Sequence, residues 1–253
     1  MLNKVPEATL FFWVIKILAT TVGETISDYF NDTLNFGLGG TFALMASLLV
    51  VALVLQFRSL RYIPAAYWLS VVLISVVGTL ITDYLHDSRG IGLRPLTFGF
   101  AIALAVSFAV WYSSEKTLSI HSIFTTKRET FYWVTILCTF ALGTAAGDLL
   151  GEDYIHSFWK AALIFSATIA VIALAYFKAG LNSILAFWLA YIVTRPLGAS
   201  IGDYLSRPRA DGGLNMGTNV VSAIFVITIS ALVAYLSVTK ADVIEKRSGG
   251  ATA

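Results

Sequence analysis

The pattern Trp, nine residues, Gly, three residues, a small residue and then Asp occurs four times in this chain of 253 residues. It reads Trp13–Gly23–Ser27–Asp28, Trp68–Gly78–Thr82–Asp83, Trp133–Gly143–Gly147–Asp148 and Trp188–Gly198–Gly202–Asp203. The Trp-to-Trp steps are 55, 65 and 55 residues, so a two-element unit has been doubled and its product doubled again. Internal repeats at such spacing set the architecture before any single residue does. Here they deliver four carboxylates to four equivalent places.

Composition identifies the solvent around those places. Hydrophobic residues make up 57% of the chain and charged residues only 13%, with a mean hydropathy of +0.79. Apolar runs fall near 10–30, 37–56, 63–85, 95–113, 131–150, 159–177, 181–204 and 215–237. Each approaches the roughly 20 residues that a helix needs to cross a bilayer. A water-soluble bundle needs a charged face on most of its helices, and these runs have none. The expectation is an all-α integral membrane protein of eight transmembrane helices, built as four parallel two-helix repeats. Residues 1–120 and 121–240 form two four-helix halves, and 241–253 read as a disordered cytoplasmic tail. The first run lies inside a repeat unit and so reads as a span, not a cleaved leader.

Orientation follows from Lys and Arg. Ten lie on the side of the termini (Lys4, Arg58, Arg61, Lys116, Lys127, Arg128, Lys178, Lys240, Lys246 and Arg247) and five on the other (Arg89, Arg94, Lys160, Arg207 and Arg209). This places both termini in the cytoplasm. The basic residues form no cluster of the kind that binds nucleic acid. Cys138 is alone, so no disulfide framework exists.

Within each motif Gly and the small residue are four apart, on one helix face, a spacing that lets helices pack closely in lipid. Four odd-numbered helices packed this way hold their Asp side chains at one depth around a shared interior, with the symmetry axis along the membrane normal. Fifteen residues separate each Trp from its Asp, about 22 Å of rise, which sets the Trp residues at the inner headgroup belt and the Asp residues toward the outer side.

Ionisable groups inside a bilayer are costly and mark ion or substrate pathways. Asp28, Asp83, Asp148 and Asp203, joined by Glu24 one turn before Asp28, face two intrahelical cations, Lys16 and Arg195. Three negative charges remain in surplus, and such a set either shares protons or holds a hard cation through its oxygens. Repeat one is the most polar, with Lys16, Thr20, Glu24 and Asp28 at four-residue steps and Thr21 and Ser27 beside them. Repeat four places Arg195 next to Pro196. Helices one and seven are therefore the expected seat of the chemistry, with Asp83 and Asp148 in plainer surroundings. His86 with Asp87, and His156 with Asp153, lie in short outer loops that could form a capture vestibule. Among enzyme motifs, no catalytic triad, phosphate loop or paired His or Cys site is present.

The stretch Trp13-Val-Ile-Lys16-Ile-Leu-Ala-Thr20-Thr21-Val-Gly23-Glu24, with Asp28-Tyr29 following, resembles a family of uncharacterised bacterial membrane-anchored proteins built from four tandem two-helix repeats, each with a characteristic Trp. The resemblance implies an eight-helix protein of a bacterial cytoplasmic membrane. It implies no activity and no catalytic residues.

The charge pattern leads to a non-enzymatic expectation: a secondary transporter or exporter of an inorganic metal cation, exchanging it for protons. Glu24, Asp28 and Asp203 coordinate the ion, Asp83 and Asp148 complete or relay it, and Lys16 and Arg195 take its place when it leaves. The metal is substrate, with the lipid bilayer and protons as the other partners. A membrane receptor for a small organic ligand or cofactor is the alternative, and a membrane enzyme the third reading.

Overall fold

The computed structural model describes residues 3–243 and contains eight helices long and apolar enough to cross a membrane among them. They are α1 (Leu10–Asp28), α2 (Gly37–Arg58), α3 (Pro64–Asp83), α4 (Leu93–Glu115), α5 (Thr126–Asp148), α6 (Phe158–Ala179), α7 (Ser183–Ser206) and α8 (Thr218–Thr239). Local chemistry fixes their starts. The Thr9 and Thr125 hydroxyls accept from the Phe12 and Arg128 amides, the Asn182 side chain accepts from Ile184 and Leu185, and Pro64 stands at the first turn of α3. The cap at Thr125 carries α5 back over Lys127, Arg128 and Glu129, charged residues that lie outside its apolar run. Lys116, Gly180 and Lys240 end α4, α6 and α8 in the left-handed conformation.

The helices fall into two classes. More than half of each odd span is buried, against at most 22% of each even one. α1, α3, α5 and α7 form a closed ring in that order, and each even helix leans on the odd helix that follows it. So α2 packs on α3, α4 on α5 and α6 on α7, while α8 returns to α1 and closes the circle. The outer helices present side chains such as Phe98, Val171, Phe177 and Ile227 outward. In lipid such exposure carries no penalty, so close van der Waals packing must hold the inner ring.

The motif glycines make that packing possible. Gly23 lies against Ser75, Gly78 against Phe140, Gly143 against Arg195, and Gly198 against Thr20. Each partner stands three residues before the glycine of its own helix. A β-carbon at any of the four would overlap the neighbouring helix. One contact at one register, repeated four times and closing on itself, is the geometry of rotation about the ring axis. The ring contacts α3–α5 and α1–α7 both cross the boundary between residues 1–120 and 121–240, so the two halves share a single core.

In three repeats the chain passes from α-helix into a π turn directly after the motif Asp, at Tyr29–Thr33, Tyr84–Ser88 and Leu149–Tyr154. Repeat four instead continues as α-helix to Ser206 and then forms a short 3-10 turn at Arg209–Asp211.

At the terminus side, residues before α1 lie across the end of the ring. The Lys4 ammonium is buried against Glu129 at 2.7 Å and donates to the Phe57 carbonyl. Tyr62 donates to Asp242 at 2.5 Å, and the Glu7 amide donates to the Asp242 carbonyl at 2.9 Å. This corrects the expectation of a disordered tail starting at 241: residues 241–243 form a turn, and Asp242 is buried. The rest of that tail, 244–253, lies outside the described residues.

Candidate functional site

Counting from the motif glycine, steps of four along each odd helix build five successive levels. The level eleven residues before it holds Phe12, Tyr67, Tyr132 and Phe187; seven before, Lys16, Val71, Ile136 and Tyr191; three before, Thr20, Ser75, Phe140 and Arg195. One after it come Glu24, Thr79, Thr144 and Ala199, and five after it the motif residues Asp28, Asp83, Asp148 and Asp203. The interior is aromatic at one end and acidic at the other.

At the acidic end a cavity of about 770 Å³ is lined by Glu24, Asp28, Asp83 and Asp148. Glu24, Asp148 and Asp203 each bring one carboxylate oxygen to within 4.8 Å of the other two. Asp203 is buried and accepts from the Arg207 Nε at 2.8 Å. The buried Ser206 hydroxyl also lines this space and has no hydrogen-bond partner among the described residues. All five predicted carboxylates therefore belong to one region, drawn from all four repeats.

A second tier of acids lines this space, of which the sequence had offered only Asp87, as a loop residue beside His86. Asp32 and Asp87, four residues beyond the motif Asp and inside the π turns, line the same cavity, as does Asp211. The equivalent position in repeat four is Arg207, the partner of Asp203. A recurrent acid at that offset was the available signal. His86 lines the mouth, with its Nδ1 2.9 Å from the Ile91 carbonyl.

Arg195 forms the floor of the acidic end. Fully buried, it reaches Glu24 at 2.8 Å and Thr144 at 2.8 Å, bonds the Thr79 hydroxyl, and donates to the Thr20 carbonyl at 3.3 Å. Its partners come from the other three repeats, so one guanidinium ties the ring together. The close approach that Gly143 and Gly147 permit to Arg195 and Pro196 seats it there. Removing one member of a buried pair of this kind typically costs about 3–5 kcal/mol.

Lys16 does not join the carboxylates as expected. Its ammonium is buried between the rings of Phe140 and Tyr191, 4.2 and 4.1 Å from their centroids, and has no hydrogen-bond partner among the described residues. The other polar residues of helix one serve its packing. Thr20 donates to the Ile17 and Thr194 carbonyls, Thr21 donates to Ile17 and packs beneath Gly202, and Ser27 is buried.

The opposite end is shut by side chains. In every repeat the residue before the Trp is aromatic, and each pair packs edge to face: Phe12–Trp13, Tyr67–Trp68, Tyr132–Trp133 and Phe187–Trp188, with centroids 5.1–5.2 Å apart. The Tyr67 and Tyr132 hydroxyls meet at 2.5 Å. Trp68, Trp133 and Trp188 are buried, so these rings plug the bundle instead of forming a lipid-facing belt at the headgroups.

A family model described as a repeat of unknown function (DUF347) matches the chain four times, at residues 11–62, 66–117, 131–181 and 186–242. The four matches follow the four repeats of the fold. No curated protein and no solved structure matches the chain.

Proposed function

We propose that this chain, which belongs to the DUF347 family of repeats of unknown function, is a secondary transporter of an inorganic metal cation that exchanges its ion for protons. The observation that carries the reading is a cavity lined by carboxylates from four repeats, in a ring whose opposite end is filled by aromatic side chains. All-oxygen donors in this number favour a hard cation such as Mg²⁺, Ca²⁺ or Mn²⁺. Glu24, Asp148 and Asp203 are the nearest set of ligands, and Asp28, Asp83 and the outer Asp32 and Asp87 concentrate cations above them. Arg195 is the internal substitute: it holds Glu24 at 2.8 Å and must yield that oxygen to an arriving ion. Access from one side, with the other shut, is one half of an alternating-access cycle built on parallel repeats. With the ten-to-five bias of Lys and Arg, this reading puts the protein in a bacterial cytoplasmic membrane, its termini inside and its cavity facing out.

The test is Mn²⁺ flux into proteoliposomes together with elemental analysis of the purified protein. Saturable flux that is lost in Asp203→Asn is the expected result; no flux of any divalent cation overturns it. A cavity of about 770 Å³ also has room for a small organic cation, as a receptor or binding protein would require. An organic amine retained by the purified protein, without flux, selects that second reading.

A further inference from the structure

We propose that Lys16 is the proton-carrying residue of this exchange, an inference that rests on the transporter reading. The carboxylates are the obvious candidates for that role, yet the geometry sets Lys16 apart from them. Its ammonium sits two helical turns on the terminus side of Glu24, buried, between the π faces of Phe140 and Tyr191. Phe140 is shared: its ring carries Lys16 at 4.2 Å and the Arg195 guanidinium at 5.9 Å. The other titratable groups at this end of the ring are Tyr191 on α7, Tyr132 on α5 and Tyr67 on α3, with the Tyr62–Asp242 and Lys4–Glu129 pairs at its terminus-side rim. α8, the remaining helix packed on α1, carries only Tyr235, which packs against Phe11. No carboxylate pairs with the amine among the described residues.

Such a site couples two charges without contact between them. With the carboxylates empty, the surplus negative charge and the two ring faces hold a proton on Nζ. When a divalent cation fills the carboxylates, like charges exclude one another across Phe140, and Nζ returns its proton to water on the side then open. One N–H bond forms and breaks per cycle, and no other reactant is needed. Coupling of this kind is reciprocal: the ion expels the proton to the same degree that the proton weakens the ion.

The experiment compares the wild type with Lys16→Met, which cannot carry the proton, and Lys16→Arg, which cannot release it. Two quantities are read: protons released per Mn²⁺ bound to the purified protein in weak buffer, and Mn²⁺ accumulation in proteoliposomes driven by a pH gradient. Both variants should release about one proton fewer per ion, because the carboxylates still contribute theirs. Both should lose gradient-driven accumulation, while Lys16→Met retains Mn²⁺-for-Mn²⁺ exchange at zero gradient. Lys16→Arg preserves the cation and its ring contacts, so it carries the comparison if Lys16→Met fails to fold. Unchanged proton release in either folded variant overturns the proposal and leaves the transporter reading standing. Absence of Mn²⁺ binding and flux in the wild type overturns both.

Discussion

The two ends of the ring are made by the same four helices in the same register, yet one is an acidic cavity and the other a plug of packed rings. Eleven residues before each motif glycine stand Phe12, Tyr67, Tyr132 and Phe187, and five after it Asp28, Asp83, Asp148 and Asp203. Symmetry gives each level four equivalent places, and the residue type decides whether they close or open. The aromatic level fills its space because large rings from neighbouring helices pack against one another, tilted or stacked. The acidic level stays apart because like charges do not pack. What stands between them breaks the symmetry: Arg195 has Thr20, Ser75 and Phe140 as its equivalents, and Lys16 has Val71, Ile136 and Tyr191.

The sharpest way to break this contrast is to remove its boundary. Arg195→Met strands the buried Glu24 carboxylate and should lower the melting temperature in detergent by roughly 10 °C. Adding Glu24→Gln should recover much of that loss, because the stranded charge goes with it. A double variant no more stable than the single one would show that Arg195 acts through its packing alone. Glu24→Gln by itself should destabilise the protein.

Gly143→Leu attacks the ring one level away. Its side chain would collide with Arg195 and Pro196, and overpacking of this kind typically costs about 1–3 kcal/mol. A melting temperature equal to that of the wild type would mean that α5 and α7 can separate freely, against the close approach described above.

Asp28→Asn tests the open end without touching its floor. The fold should hold, with an unchanged melting temperature, while Mn²⁺ affinity falls roughly tenfold through lost charge. Equal affinity in a binding assay would remove Asp28 from the ion's surroundings.

The smallest effect belongs to the closed end. Burial raises the Asp242 carboxyl above the usual range, against the Tyr62 hydrogen bond that lowers it. A raised value means that the stabilising contribution is full at low pH and fades as pH rises through that value. Asp242→Asn should therefore match or slightly exceed the wild-type melting temperature at pH 8 and lose the difference toward pH 5. A marked drop at pH 8 would show that the ionised carboxylate is needed there.

The sequence makes the ring legible because its signal is short-range and repeated: Gly and a small residue four apart, with Asp next, already fix which face turns inward. It also brings the carboxylates to one region. The company of Lys16 is illegible, since Phe140 and Tyr191 lie far along the chain and their register with α1 depends on three helix contacts at once. Asp242 reads as part of a polar tail because its partners, Tyr62 and Glu7, come from distant segments. The π turns leave no local mark, and they are what bring Asp32 and Asp87 into the cavity. The aromatic residue before each Trp could have been read, since it recurs four times, but only the fold shows that it closes one end.

Because α8 rests on α1 as α2 rests on α3, the seam between the first and last helices is chemically one of four like seams. The Glu7 amide and the Asp242 carbonyl meet there at 2.9 Å. The molecule is thus a circle interrupted at one of four similar points. Joining the present ends and opening the chain between Lys116 and Thr125 yields a circular permutant with every helix neighbour retained.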